Sequence, residues 1–277
     1  MDTDNVTIGR DSGDDKRLQG ITAGIIGVGV VGGAMYRWLA KRGATLLRLD
    51  PAKGFHDNLD DASVVFVCVP TPTVDGYQKG SIVTCVVDAI PGNKTVCIRS
   101  TVIPGTTDRL QREYPRHALF HWPEFLCQRT ADHDMTHPLL SIIGHSVTTM
   151  YAMPSELLSI LPPSTHHTTA INAEFYKYAR NSFFCVKNAF FNQLATVAER
   201  HGISPYDIAG LACRDAEVGG IHTLTPHNGK RGFSGACLPK DSEAFSSYAA
   251  QYGTPLLSLD IAIAYNHSLL RRQGIRD

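Results

Sequence analysis

The residues with the most chemistry to offer lie in one short segment, Gly232-Phe-Ser-Gly-Ala-Cys237-Leu-Pro-Lys240-Asp241. A cysteine at the end of a glycine-rich loop, with a lysine and an aspartate close behind, reads as flexible, exposed and electrostatically tuned. Nearby positive charge lowers a thiol pKa from its free value of about 8.5 and favours the nucleophilic thiolate. The sequence therefore predicts a depressed pKa for Cys237. The chain holds 7 cysteines, an odd number, and no two are spaced as CxxC, which argues against a zinc or dithiol redox site. Cys68 and Cys97 stand in apolar runs and read as small buried hydrophobes, a pattern expected of a reducing, cytoplasmic protein.

A second segment, Gly27-Val-Gly29-Val30-Val31-Gly32, is a GxGxxG between the apolar run 21–26 and residues at helical spacing, Val31, Met35, Trp38 and Leu39. Alone the pattern is weak; between a strand and a helix it acquires a mechanism. The first glycine permits a tight turn and the second lets backbone approach a pyrophosphate. The third allows close helix–strand packing, and the helix N-terminus attracts phosphate. Asp50 ends the next predicted strand, about 20 residues on, where a carboxylate binds both ribose hydroxyls and repels a 2′-phosphate. The expected cofactor is NAD rather than NADP.

Lys177 and Asn181 stand four residues apart and share one face of a helix predicted over 170–201. Phe175, Tyr178, Ala179, Ser182, Phe183, Val186, Ala189 and Phe190 form one broad stripe on it, which predicts a largely buried helix. His222 and His227 read as solvated loop residues. With His166 and His167 they lack a third ligand at plausible spacing, so no metal is expected.

These groups need a scaffold. The β-branched run 64–69, echoed over 95–99, 118–121 and 140–143, has the character of buried parallel strands. Alternating with helix-length connections, these runs predict an α/β protein, a doubly wound parallel Rossmann sheet followed by a mostly helical domain. Helices are expected over 30–42 and 205–212, and one last helical region over 242–272. The expected divisions are a loose tail over 1–19, a dinucleotide-binding domain over 20–164 and a helical domain over 165–277. Lys plus Arg and Asp plus Glu both number 26. That balance leaves no global field to draw the chain to nucleic acid or an anionic membrane. No apolar run is long enough to span a bilayer, and the polar N-terminus does not read as a signal peptide.

The chain resembles the UDP-glucose/GDP-mannose dehydrogenase family, whose cysteine segment usually reads GFGGxCxPKD. Other landmarks agree in order: Val69-Pro70-Thr71-Pro72, Ser100-Thr101-Val-Ile-Pro-Gly105, Pro123-Glu124-Phe125-Leu126, and Glu174-Phe-Tyr-Lys177 with Asn181. The resemblance implies a four-electron, NAD-dependent oxidation of the C6 alcohol of a nucleotide-activated hexose, UDP-glucose foremost. The intermediates would be a thiohemiacetal and a thioester on Cys237. It further implies that Lys177 and Asn181 hold the reacting oxygen, that Asp241 and Thr101 position a water, and that Glu124 is the general acid/base of hydrolysis. Gly27, Gly29, Val30, Val31, Gly32, Asp50, Pro70, Thr71, Thr101 and Lys240 would hold NAD. Phe125, Leu126, Phe233 and Gly235 would join Lys177 and Asn181 around the substrate, in a homodimer formed through the C-terminal helix. The alternatives are a two-electron hydroxyacid-type dehydrogenase, which needs no cysteine, and an NAD-binding relative without turnover. Three departures stand out: Ser234 replaces a loop glycine, Gln128 a second glutamate, and Glu217 a substrate-contacting arginine. Typical relatives continue into a second α/β unit over the substrate's nucleotide, and the length here predicts a form without it.

Overall fold

The computed structural model describes residues 18–146 and 153–275. Leu18, expected in the tail, instead lies 1% exposed in the core and donates its N–H to the Arg42 carbonyl at 2.7 Å. The rest of the expected tail up to residue 17 lies outside the described residues.

The first strand, β1 (Thr22–Ile26), leads through the glycine turn into α1 (Val30–Lys41), and the chain returns as β2 (Thr45–Asp50). A short β3 (Phe55–His56), β4 (Val64–Val67), the small hairpin β5 (Thr73–Val74) and β6 (Tyr77–Gln78), and α2 (Ser81–Ala89) follow. Next come β7 (Thr95–Ile98), α3 (Thr106–Glu113), β8 (Ala118–His121), α4 (Ala131–Thr136), β9 (Ile142–His145), α5 (Ser155–Ile160) and β10 (His166–Thr169). Apart from the hairpin, the strands form one sheet of 8 in the order β10-β9-β8-β7-β4-β1-β2-β3. Neighbours from β2 through β8 are parallel, whereas β9 runs antiparallel to β8 and β10 follows β9 in parallel. The last two strands thus point opposite to the five before them. Side chains alternate across the pleat into two cores. One packs Phe66, Cys97, Phe120 and Trp122 under α1, α4 and α5; the other packs Val65, Val67 and Ile98 under α2 and α3.

From β10 the chain passes directly into α6 (Ala170–Arg200), then α7 (Pro205–Arg214), a long loop, α8 (Leu238–Gln251) and α9 (Leu257–Arg272). The Thr169 hydroxyl caps α6 by accepting the Asn172 N–H. Gly144 admits the helix: a Cβ there would lie 2.6 Å from the Ala170 Cα, so α6 rests on β9 at the one position of that strand without a side chain.

Two helical expectations need correction. The last helical region is two helices, broken where Gly253, Thr254 and Pro255 interrupt the ladder, and it starts at Leu238 because Pro239 suits a first turn. The α6 stripe also divides. Tyr178, Ser182 and Ala189 are buried, but Phe175, Phe183 and Phe190 are 48%, 60% and 59% exposed. The helix carries a second apolar face, and the true inner face is built of alanines with Glu174, Lys177, Asn181 and Asn188 among them. Strand β9 lies two residues later than expected. No helix among the described residues is long and apolar enough to cross a membrane.

Candidate active site

At the C-terminal edge of the parallel strands, the glycine turn divides its work among three positions. Gly27 has φ +86°, and a Cβ there would lie 2.7 Å from the Cys68 carbonyl oxygen; a Cβ on Gly32 would lie 2.0 Å from that of Gly27. The fold itself requires both. At Gly29, the N-cap of α1, a Cβ would meet nothing within 4 Å. That glycine faces space open to a ligand, and no side chain caps the first-turn N–H groups around Val30 and Val31. Asp50 accepts the Val28 N–H at 2.8 Å, which holds its carboxylate against the turn. Lys53, unforeseen from sequence, donates to the Val28 carbonyl at 2.6 Å. Pro70 is exposed and Thr71 buried just beyond β4.

The cysteine end is assembled from four elements around α6. Lys177 pairs with Glu124, which follows β8, at 2.9 Å, and donates also to its main-chain oxygen at 2.7 Å. The Leu126 N–H donates to the second Glu124 oxygen at 2.8 Å. Burial by itself raises the Glu124 pKa. The Lys177 charge and hydrogen bond, the Leu126 N–H and the Arg99 charge outweigh it and hold the carboxyl below its ordinary range. Asn181 donates to Asp241 at 2.7 Å, and Lys240 donates to the other Asp241 oxygen. Asp241 is 1% exposed, in the first turn of α8. Thr101 is buried, and its main-chain oxygen accepts from Gln78, which also donates to the Tyr178 hydroxyl at 3.1 Å. Thr101 and Asp241 share no hydrogen bond among the described residues. Thr73, at the hairpin, donates to the Lys240 carbonyl at 2.8 Å and so ties the segment after Pro72 to α8.

Cys237 occupies the N-cap position of α8 and keeps exposed surface. Its pKa is raised, contrary to the expectation from Lys240. Partial desolvation is the largest influence; the carboxylates of Glu124 and Asp241 add to it, and Lys177 and Lys240 oppose it without prevailing. Lys240, the nearest cation in sequence, has its ammonium paired with Asp241. Cys97 is buried as foreseen and Cys68 is half-buried against the same core; desolvation pushes each thiol up to about 12.

Of the residues expected around a substrate, Phe125 has its ring edge-on to Tyr176, with the Lys177 and Arg180 cations 5.4 and 5.1 Å from its centroid. Leu126 packs against the sheet core. Gly235 is exposed with φ +93°. Phe233 lies deeper than expected of a substrate-lining residue: it is 4% exposed and buried with Tyr178 and Phe245. Its backbone is pinned from α9, the N–H donating to Asn266 at 2.7 Å and the carbonyl accepting from Asn266 at 2.9 Å. His222 is not a solvated residue either. Its ring lies 4.7 Å from that of Phe184, and burial, then Arg180 and Lys187, push its pKa down to about 4. Gln78, Arg180 and Asn266 were missed from sequence. Asn266, a polar residue within an otherwise apolar helical face, carried the one readable signal.

A doubly wound sheet with a glycine turn opening onto empty space and an acid at the tip of the second strand defines an NAD-binding Rossmann protein. Residues 47–161 match the NAD binding domain, and residues 171–268 the central domain, of the UDP-glucose/GDP-mannose dehydrogenase family. The chain belongs to that family. It is 29% identical over 244 residues to UDP-glucose 6-dehydrogenase of Rhizobium meliloti, covering 79% of this chain and 54% of that one. With GDP-mannose 6-dehydrogenase of Pseudomonas aeruginosa it shares 25% identity over 236 residues, 77% of this chain and 52% of the relative. The chain thus spans about half the length of the curated relatives it matches. A UDP-glucose dehydrogenase structure from Pyrobaculum islandicum superposes with a TM-score of 0.72 at 21% identity, over 92% of this chain and 71% of that one.

Proposed function

We propose that this chain acts as a nucleotide-sugar 6-dehydrogenase, with UDP-glucose as foremost substrate and Cys237 as covalent nucleophile. The observation that carries the reading is the pairing of Lys177 with Glu124 at 2.9 Å and of Asn181 and Lys240 with the buried Asp241, in the first turn of the helix whose N-cap is Cys237. Gly29, the first turn of α1 and Asp50 would hold NAD, which when bound supplies the hydride acceptor.

In this reading the Lys177 ammonium and the Asn181 amide hold the C6 oxygen and stabilise negative charge as its proton departs. Asp241, with Thr101, orders a water to receive that proton. The Cys237 sulfur then bonds to the aldehyde carbon as the C=O π bond opens, and Glu124 takes the thiol proton and passes it to the former carbonyl oxygen, giving the thiohemiacetal hydroxyl. Loss of a second hydride and the hydroxyl proton converts the thiohemiacetal to a thioester. Water adds to its carbonyl, the C–S bond breaks, and the sulfur regains a proton. The balance is one alcohol, one water and two NAD giving one carboxylate, two NADH and three protons. The seven free cysteines fit a reducing cytoplasmic setting. The exposed Leu257 and Ile261 suit α9 to a homodimer contact.

The test is NADH formation at 340 nm with NAD and excess UDP-glucose, GDP-mannose or UDP-N-acetyl sugars. Two NADH per substrate are expected. Cys237→Ser should lower acid formation at least about 10³-fold, about 4 kcal/mol in barrier. Full turnover in that variant would sink the covalent mechanism. One NADH per substrate with Cys237 dispensable would select the two-electron hydroxyacid chemistry. NAD binding with no NADH from any sugar would leave a relative without turnover.

A further inference from the structure

Far from the paired charges, the C-terminal turns of α6 and α9 and the loop before Phe233 enclose an open cleft of about 470 Å³. Arg200 of α6, Arg231 of the loop and Arg272 of α9 converge on it, and Tyr265, Val197 and Leu269 form its less polar side. Arg231 is held from both helices. Its guanidinium donates to the Thr196 hydroxyl at 2.9 Å and to Glu199, while the Gln273 side chain bonds its main-chain N–H at 2.8 Å and its carbonyl at 3.0 Å. Arg200 and Arg272 make no ion pair among the described residues. Glu199 offsets one of the three cations, so surplus positive charge gathers here in a chain whose formal net charge is zero.

Basic residues in a last helical turn are favoured by the helix dipole, which accounts for Arg200 and Arg272 singly. It does not account for Arg231, which belongs to no helix, nor for the concavity all three share. Guanidinium forks match phosphate oxygens, and the volume falls within the range of about 300–1,000 Å³ typical of small-molecule sites. At about 1.5 Å per residue, Arg200 lies about 35 Å along α6 from Lys177. The cleft is therefore separate from the Lys177–Glu124 pair, and its lining shares no residue with the NAD turn.

We propose that this cleft binds a nucleoside polyphosphate, its phosphates on Arg200, Arg231 and Arg272 and its base against Tyr265. Such a ligand reaches the cysteine loop directly. Arg231 is the residue before Gly232, whose N–H is held by Asn192 at 3.1 Å, and Phe233 is pinned by Asn266. Competition between phosphate and Glu199 for Arg231 would act on the anchored start of the segment that ends at Cys237.

The experiment is calorimetric titration of the full chain, saturated with NAD, with ADP and separately with inorganic pyrophosphate at two salt concentrations. One additional ADP site is expected, weaker at high salt and tighter than for pyrophosphate. Arg200→Glu/Arg272→Glu should weaken ADP at least tenfold, and Arg200→Gln/Arg272→Gln by less, with NAD affinity and sedimentation unchanged. No ADP site beyond that of NAD, or equal ADP affinity in the variants, would overturn the proposal. Equal affinity for ADP and pyrophosphate would overturn the role given to Tyr265. Loss of self-association in the variants with ADP binding intact would make the cleft a contact between copies and overturn it as well.

Discussion

At the dinucleotide end of the candidate site, fit depends on missing atoms. Gly27 and Gly32 lack side chains because neighbouring backbone leaves no room for them, and Gly29 because open space must stay open. At the cysteine end, fit depends on compensated charge: Lys177 against Glu124 and Asn181 against Asp241, drawn from distant parts of the chain, with Lys240 against its neighbour Asp241. Sterics at the first end are set by main-chain atoms, the Gly27 carbonyl within the turn and the Cys68 carbonyl beyond β4, and at Gly27 and Gly32 tolerate little change. Electrostatics at the second depend on tertiary distances, where removing one member leaves its partner buried and uncompensated.

The sharpest way to break this contrast is Lys177→Met, which strands a buried carboxylate. The fold should lose about 3–5 kcal/mol in urea denaturation, and Glu124→Gln/Lys177→Met should recover most of it. Wild-type stability in the single variant would show that the pair does not hold this end together.

His121 tests the same end through pH. It is fully buried at the tip of β8, and neither ring nitrogen has a hydrogen-bond partner among the described residues. Burial foremost, then Arg99 and Lys177, push its pKa from 6.5 down to about 3. A depressed folded pKa gives stability that is present above about 6.5 and lost as pH falls toward 3. At pH 5 the loss is about 2 kcal/mol. His121→Gln should flatten the fall in Tm between pH 7 and 5; an unchanged slope would remove this residue from the acid response.

The smallest effect belongs to the dinucleotide end. Gly29→Val should leave Tm unchanged and weaken NAD about tenfold, about 1.4 kcal/mol, as read by fluorescence titration. Gly32→Ala should lower Tm as well, since its new methyl meets the Gly27 carbonyl. Equal NAD affinity in Gly29→Val would mean that the open space is not the pyrophosphate site.

The same contrast explains what could be read in advance. The strand at 118–121, the helix after Gly29 and the acid at Asp50 follow from local periodicity and turn chemistry, and the structure has them where the residues say. The Cys237 thiol went the other way. Lys240 stands three residues on and its ammonium is taken up by its own neighbour Asp241, but nothing local tells that the thiol is partly desolvated or that the carboxylate of Glu124, from beyond β8, raises its pKa further. The aromatics of α6 failed for a related reason: helical spacing identifies an apolar face without saying which face the sheet covers. Phe183 and Phe190 point away from a core that is filled largely by alanines and paired polar groups.

The reversal of β9 and β10 makes α6 a ruler. Because these strands run against the others, α6 starts at the sheet edge opposite the glycine turn and must climb the width of the sheet. A strand of four residues is about 13 Å long. Seven residues of helix from Ala170 rise about 10 Å to Lys177, and eleven rise about 16 Å to Asn181. The two side chains therefore bracket the level at which β8 ends and Glu124 begins. One residue more or less in that first stretch would swing both by about 100° around the helix, so the length of this segment is under the same constraint as the identity of the residues it delivers.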